Sequence, residues 1–185
     1  MRRFNRVRLL SALLLATLAP AAPGPAEQLP EYSVKAAFLY HFVEFVEWPA
    51  DAPLPATITI GVLGKDPFGD LLDRAILHKV VMGRALAVRR FETVEDLQPC
   101  QILFVSSSEM SRLPQAFALL GVAPVLTVGE ADRFARRGGM IGFVFEDDRV
   151  RLEINLGAAE AAGLRVSSKL LSVARLVKAD TRQGR

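Results

Sequence analysis

The chain has 185 residues, 51% of them hydrophobic, and carries 23 Lys and Arg residues against 20 Asp and Glu residues. Four of the arginines lie in the first 26 residues, which contain no acidic residue, so 19 basic and 20 acidic residues remain beyond them. This near-neutral balance removes the electrostatic support for nucleic-acid binding, and the remaining length suits one domain with its own hydrophobic core.

The first 26 residues have the pattern of an export signal. Arg2, Arg3, Arg6 and Arg8 precede an apolar run at 9–19, which is shorter than the roughly 20 residues of a membrane-spanning helix. Small residues follow, and this order is typical of a signal peptide removed on export. We therefore expect a leader at 1–26, cleaved near 21–26, and a single exported domain at 27–185. An uncleaved membrane anchor is the alternative.

Hydrophobic periodicity then predicts helices alternating with strands. The predicted elements are, in chain order, helix 31–48, strand 57–63, helix 66–79, strand 85–91, strand 102–105, helix 106–120, strand 124–128, helix 131–137, a β-hairpin with strands 140–145 and 149–155, helix 158–162 and helix 169–177. Such alternation predicts an α/β fold with a mostly parallel sheet, helices on both of its faces and a late antiparallel hairpin.

Several local signals set these boundaries. Pro49 ends the first helix, and Asp66-Pro67 suits an N-cap followed by the first helical position. Ser106 and Glu109 have the spacing of a capping box. The wholly apolar run at 102–105 is typical of a strand buried on both faces.

The residues of common catalytic and metal sites are scarce. The two histidines, His41 and His78, have no carboxylate at a spacing that suggests a catalytic dyad, and there is no Gly-x-Ser-x-Gly or Cys-x-x-Cys pattern. We therefore predict a protein that is not an enzyme and that uses no metal or cofactor. The single cysteine, Cys100, borders an apolar strand and is interpreted as a buried thiol, with an intermolecular disulfide as the alternative.

Ligands of open parallel sheets bind at the loops that follow the carboxyl ends of the strands. Here two such loops provide candidate ligand-binding residues: Gly64, Lys65, Asp66, Ser106, Ser107 and Ser108. The segment 61–66 resembles a phosphate-binding loop but lacks the Gly-Lys-Ser/Thr element. A tight turn between strand and helix is the alternative interpretation.

The first helix is apolar on nearly all sides, which predicts burial on all sides. One face is therefore a candidate for contact with another chain. The candidate partner-binding residues are Phe38, Tyr40, Phe42, Phe45, Trp48 and, on the predicted final helix, Arg175. Burial of the helix within its own fold, with loop 50–56 folded over it, is the alternative.

Taken together, several segments resemble the YfiR family of small periplasmic proteins. They span nearly all of the chain beyond the leader: Tyr-His-Phe-Val-Glu-Phe-Val-Glu-Trp-Pro at 40–49, Gly-Val-Leu-Gly-Lys-Asp-Pro-Phe-Gly at 61–69, Gly-Arg at 83–84, Cys-Gln-Ile-Leu-Phe-Val-Ser at 100–106, Gly-Gly-Met-Ile at 138–141, Glu-Ile-Asn-Leu at 153–156 and Gly-Leu-Arg-Val-Ser-Ser-Lys-Leu-Leu at 163–171. The resemblance implies a Rossmann-like fold and a regulatory, non-catalytic role. Members of the family can carry paired cysteines, whereas this chain has one.

The resemblance also implies a partner. The family's namesake holds an inner-membrane diguanylate cyclase inactive from the periplasmic side, and an outer-membrane lipoprotein sequesters it. By analogy, we expect this chain to form a homodimer and to bind the periplasmic domain of such a cyclase or a similar sensor. Its output would be cyclic-di-GMP signalling and biofilm control. The alternative is a small-molecule-binding module that feeds a sensor kinase or an outer-membrane receptor.

Overall fold

The computed structural model describes residues 25–180, so the predicted leader lies almost wholly outside the described residues. The elements are, in chain order, α1 (Pro25–Phe45), β1 (Val46–Glu47), β2 (Thr57–Leu63), α2 (Asp70–Ile76), β3 (Val80–Val81), β4 (Arg84–Phe91), β5 (Ile102–Val105), α3 (Leu113–Leu120), β6 (Leu126–Gly129), β7 (Ile141–Glu146), β8 (Arg149–Ile154), α4 (Leu156–Ala161), β9 (Arg165–Val166), α5 (Ser168–Leu171) and β10 (Arg175–Leu176). Short 3-10 helices lie at Val94–Asp96, Ser107–Arg112 and Ala135–Arg137.

Most of the strands in residues 25–180 form one sheet, in the order β10-β8-β7-β6-β5-β2-β4-β3. The strands from β4 to β7 are parallel, and β8 returns antiparallel to β7. Asp147 and Asp148 both have positive φ at the turn of this hairpin, as a type I′ turn requires. The predicted α/β class, with its mostly parallel sheet and late hairpin, is confirmed.

Side chains alternate along the strands, so each central strand directs apolar residues to both faces of the sheet. Helices cover both of these faces. Ile58 and Ile60 of β2 pack in the larger core cluster, which includes Leu39 and Phe42 of α1. Leu63 belongs to a second cluster, which includes Leu113 of α3. The central strands are therefore buried on both sides.

Phe134, a member of the second cluster, is held between two glycines. A Cβ on Gly139 would lie 2.1 Å from the Phe134 ring, and a Cβ on Gly129 would lie 2.5 Å from it. The ring is 1% exposed and packs edge-on against Phe117. Only glycine leaves room for this ring, which fixes the segment between β6 and β7.

Two predicted helix boundaries at the amino-terminal half are wrong. The first helix ends at Phe45 rather than 48, because β1 pairs with β9 and Val46 faces Val166. The second helix begins at Asp70 rather than 66. Asp66 accepts a hydrogen bond from the Phe68 amide instead, so it closes a turn before the helix.

The later helices also differ from the prediction. The final helix α5 covers only four residues, and Arg175 lies on the edge strand β10. Ser106 accepts from the Ser108 amide, but its own amide donates to Leu63 O, so the capping box with Glu109 does not form. The predicted helix at 131–137 is reduced to a 3-10 turn at its end.

Candidate functional site

The two predicted ligand loops do meet at the carboxyl edge of the sheet, but they close against each other. The Lys65 amide donates to Ser108 Oγ at 3.0 Å. Gly64 has a φ of 83°, and a Cβ there would lie 2.5 Å from Ser108 Oγ. Ser106 is buried, whereas Ser107 and Lys65 are exposed. The chain's own groups therefore fill the space between the loops.

Asp66 is engaged by the chain as well. Its Oδ2 lies 2.7 Å from Arg90 Nε, and Arg90 also binds Asp73. The hydrogen bond from Arg90 is the main cause that lowers the pKa of Asp73. These contacts tie the loop after β2 to α2 and β4, and they leave Asp66 no free carboxylate oxygen for a ligand.

Glu109 is an unusual buried acid beside these loops. Its Oε1 accepts from Ser108 Oγ at 3.3 Å, whereas its Oε2 has no hydrogen-bond partner within the described chain. The nearest cation is Arg112, at 3.7 Å from Oε2. The sequence offered no signal for this burial beyond the capping-box spacing.

A charged cluster joins α1 to the end of β6. Lys35 Nζ lies 2.6 Å from Glu130 Oε2 and also pairs with Glu31, and the Lys35 side chain is only 4% exposed. The Tyr32 hydroxyl donates to Glu130 Oε1 at 3.3 Å. Burial, followed by the charges of Glu130 and Glu31, raises the pKa of Tyr32. The cluster anchors the amino-terminal half of α1.

The predicted partner-binding aromatics occupy different environments. Phe42 is fully buried, while Phe38, Tyr40, Phe45 and Trp48 are half-buried and pack against the larger core cluster. Most of α1 is therefore covered by its own fold. Phe42 presents no surface to a partner in this structure.

Between these aromatics, α1 keeps a partly open strip. Val34 is 45% exposed, and the His41 side chain is 44% exposed. The strip continues through Phe38 and Phe45, since positions 34, 38, 41 and 45 fall on one side of a helix. His41 Nδ1 lies 3.0 Å from Glu44 Oε2, three residues further along the same helix.

Arg175 lies at the far edge of the sheet. Its guanidinium pairs with Glu146 at 3.0 Å and with Glu153 at 3.4 Å, and its side chain is 55% exposed. The hydrogen bond to Glu146 is the main cause that raises the pKa of Arg175. The residue braces β10 against the β-hairpin while leaving part of the guanidinium in solvent.

An apolar groove that sequence reasoning missed lies at the opposite, amino edge of the strands. It has a volume of about 420 Å³ and is walled by Trp48, Leu97, Cys100 and Leu120. Trp48 donates from Nε1 to Pro124 O at 2.9 Å, which holds the indole in the wall. Burial raises the pKa of the Cys100 thiol to about 11, so at neutral pH it is a protonated apolar group.

The described residues contain neither a metal-binding cluster nor a membrane-spanning helix. Between residues 25 and 180, no three His, Cys, Asp or Glu side chains gather as a metal site would require. No helix in that part of the chain is long and apolar enough to cross a membrane.

Solved structures share the fold at low sequence identity. The chain is similar to the ABC domain from Streptococcus pneumonia solved in complex with L-Trp, with a TM-score of 0.54 and 12% identity over 77% of this chain. It is similar to a conserved domain protein from Vibrio cholerae O1 biovar eltor, with a TM-score of 0.54 and 16% identity over 83% of this chain. The chain spans 60% of the length of each, so these likenesses concern the fold alone.

A family model described as YfiR/HmsC-like matches residues 32–175. The match runs from the middle of α1 to the first residue of β10 and so includes all the other strands of the sheet. At the level of the family, the role is that of a periplasmic regulator in the diguanylate cyclase pathway, regulatory rather than catalytic. The chain belongs to the YfiR/HmsC-like family.

Proposed function

We propose that this chain is a non-catalytic periplasmic regulator that binds and restrains the periplasmic part of an inner-membrane diguanylate cyclase. The family match over residues 32–175 is the observation that carries the proposal. Restraint acts by differential affinity: the regulator binds the inactive state of the partner more tightly and shifts the population toward it. An outer-membrane lipoprotein that competes for the regulator would then raise cyclic-di-GMP.

The partner surface that we propose is the α1 strip, defined as Val34, Phe38, His41 and Phe45. Its spacing of four, three and four residues is that of a helix face that docks onto another helix or into an apolar groove. The strip is partly exposed, whereas Phe42 and Trp48 point into the core and into the amino-edge groove. Tyr40 borders the strip, and Arg175 stays a proposed polar contact at the far sheet edge.

The alternative function, a small-molecule-binding module, requires room at the carboxyl ends of the strands. The contact between the Lys65 amide and Ser108 Oγ fills that region, and the Asp66 carboxylate forms an ion pair with Arg90. Both contacts favour the protein-binding function over the alternative.

Gene deletion followed by complementation tests the proposal. Deletion should raise cellular cyclic-di-GMP, and the wild-type gene should restore the low level. Val34→Asp should fail to restore it, because a charge in the α1 strip opposes docking. The matched control is Val122→Asp, at a residue that is 82% exposed in the turn after α3.

The outcomes separate two claims. An unchanged cyclic-di-GMP level on deletion rejects the cyclase as the target. Full complementation by Val34→Asp, at equal periplasmic abundance, rejects the α1 strip as the contact surface. Abundance is measured by immunoblotting of periplasmic extracts, and folding by thermal denaturation.

A further inference from the structure

The amino-edge groove is formed by three segments that lie far apart in the chain. They are 48–54, which follows β1, 97–101, which leads into β5, and 119–125, which follows α3. The volume of about 420 Å³ lies within the range of roughly 300–1,000 Å³ that small-molecule sites occupy. The groove therefore has the size of a ligand site, at the edge of the sheet opposite the filled loops.

The walls of the groove are fixed by contacts between these segments and with β4. The hydrogen bond from Trp48 Nε1 to Pro124 O ties the first segment to the third. Leu54 O accepts from Arg84 Nε at 3.3 Å, which ties loop 50–56 to the start of β4. A cavity whose walls are already held in place costs little ordering entropy when a ligand enters it.

The lining of the groove carries no charged side chain within residues 25–180. Its lining side chains are apolar except for Gln98 and Gln101, and the Cys100 thiol is 5% exposed and protonated. A charged ligand would lose its hydration here without gaining an ion pair, which is strongly unfavourable. The lining therefore favours an uncharged apolar molecule.

Gln101 supplies one hydrogen-bond donor to this apolar lining. Its Oε1 accepts from the Thr59 amide at 2.9 Å. Because a backbone amide donates only, the oxygen of the carboxamide must face Thr59 and Nε2 must be its other end. Nε2 has no hydrogen-bond partner among residues 25–180, so it can donate to an acceptor on a ligand.

The backbone groups near Gln101 are already paired. The Gln101 amide donates to Thr59 O, Gln101 O accepts from the Leu126 amide, and the Ala123 amide donates to Leu120 O. Pro124 O is taken by Trp48, and the prolines of the wall have no amide hydrogen. Gln98 is exposed, and its Oε1 accepts from Arg89. Gln101 Nε2 is therefore the polar group that orients a ligand within the groove.

We propose that the amino-edge groove binds an uncharged, flat apolar molecule that carries a carbonyl group. The carbonyl oxygen accepts from Gln101 Nε2, and the ring packs against the Trp48 indole. The site includes neither the loops at 64–66 and 106–108 nor the α1 strip. Binding at this edge thus adds a small-molecule site to a protein whose partner surface lies elsewhere.

NMR titration of protein purified from the periplasm tests the site with three probes of similar shape: acetophenone, ethylbenzene and benzoate. Trp48 is the single tryptophan of the chain and gives one indole signal in a ¹H–¹⁵N spectrum. Acetophenone should shift this signal in a saturable way. Benzoate at pH 7 should bind roughly tenfold more weakly or worse, because its charge finds no partner in the groove.

Two matched variants test the location. Ala123→Phe places a ring in the groove and should abolish the saturable shift. Val122→Phe, at the neighbouring residue that is 82% exposed and does not line the groove, is the control and should bind acetophenone as wild type does. Melting temperatures establish that both variants are folded. Wild-type affinity in a folded Ala123→Phe overturns the location.

Gln101→Glu tests the hydrogen bond. This variant keeps an oxygen for the Thr59 amide but replaces the donor nitrogen by an acceptor. The affinity for acetophenone should fall relative to that for ethylbenzene by roughly 2- to 10-fold, the value of one hydrogen bond. Equal losses for the two probes overturn the role of Gln101.

Two results on wild type overturn the proposal itself. One is the absence of a saturable shift up to the solubility limit of acetophenone, and the other is benzoate binding as tight as that of acetophenone. The inference does not rest on the proposed function. Probe binding is measured on the purified protein, so an unchanged cyclic-di-GMP level on gene deletion would reject the cyclase and leave this site standing.

Discussion

Lys35 Nζ and Glu130 Oε2 lie 2.6 Å apart although the two residues are separated by 95 positions in the chain. Both side chains are at most 10% exposed, so this ion pair is formed almost out of water. Burial of an isolated charge is strongly unfavourable, so each partner needs the other. The pair therefore holds α1 in register on the end of β6.

Substitution of Lys35 should lower the free energy of unfolding. Lys35→Met removes the cation that compensates Glu130 and Glu31, and breaking a buried pair on one side costs about 3–5 kcal/mol. Urea denaturation followed by circular dichroism measures the loss. Lys65→Met, at an exposed lysine, is the control and should change the free energy of unfolding by less than about 0.5 kcal/mol. A Lys35→Met protein as stable as the control would show that the pair contributes nothing.

Cys100 should behave as a buried, protonated thiol. Burial raises its pKa to about 11 from 9.0. The folded state therefore keeps its proton longer than the unfolded state, so the thiol's contribution to stability is complete below pH 9 and is lost between about pH 9 and 11. The difference in unfolding free energy between wild type and Cys100→Ser should change over that window by about 3 kcal/mol. Thiolate absorbance gives the midpoint directly, and a midpoint near 9 contradicts this assignment.

Gly139 should tolerate no side chain. Its Cβ would lie 2.1 Å from the Phe134 ring, which is enclosed and cannot retreat. We expect Gly139→Ala to lower the free energy of unfolding by about 1–3 kcal/mol, as overpacking does. Gly142→Ala is the matched control, because its Cβ would meet Ala135 at an ordinary 3.5 Å. Equal melting temperatures for the two variants would refute the steric argument.

Arg90 should keep the pKa of Asp73 low. The pKa of Asp73 is lowered chiefly by its hydrogen bond from Arg90, so this contact stabilises the fold at neutral pH and is lost as acidification protonates the carboxylate. In Arg90→Gln, the Asp73 titration followed by NMR should move upward toward the ordinary range. Because the Asp73 side chain is 49% exposed, the stability change should stay below about 1 kcal/mol. Arg89→Gln, whose arginine bonds Gln98, should leave the Asp73 titration unchanged.

Local sequence patterns predicted the central elements well. Strands Thr57–Leu63 and Ile102–Val105 lie where hydrophobic periodicity placed them. These strands have strong signals because both of their faces are buried. The two-residue strands β1, β3, β9 and β10 were missed, since their pairing depends on distant segments and not on their own composition. Arg175 was assigned to a helix for the same reason.

The position of the two candidate ligand loops was predictable from the sequence, but the contacts between them were not. Topology correctly brought the loops at Lys65 and Ser108 together, because parallel strands end at one edge. It did not reveal that these loops fill the space between them, which depends on side-chain distances. The partners of Lys35 lie beyond any local pattern, although a lysine inside an apolar helix was a signal that burial would need a carboxylate.

The pairing of Val46 with Val166 has a consequence for biogenesis. The chain is synthesised from its amino terminus, so α1 emerges first, whereas β9, to which its continuation β1 pairs, emerges about 120 residues later. Until then, the end of α1 and strand β1 lack their pairing strand, although β2 can already cover Leu39 and Phe42. Long-range closure of this kind slows folding and prolongs exposure of apolar surface to aggregation. The native fold can therefore be completed only after nearly the whole chain has been synthesised. We expect chaperones that hold unfolded chains to bind this protein through its first helix.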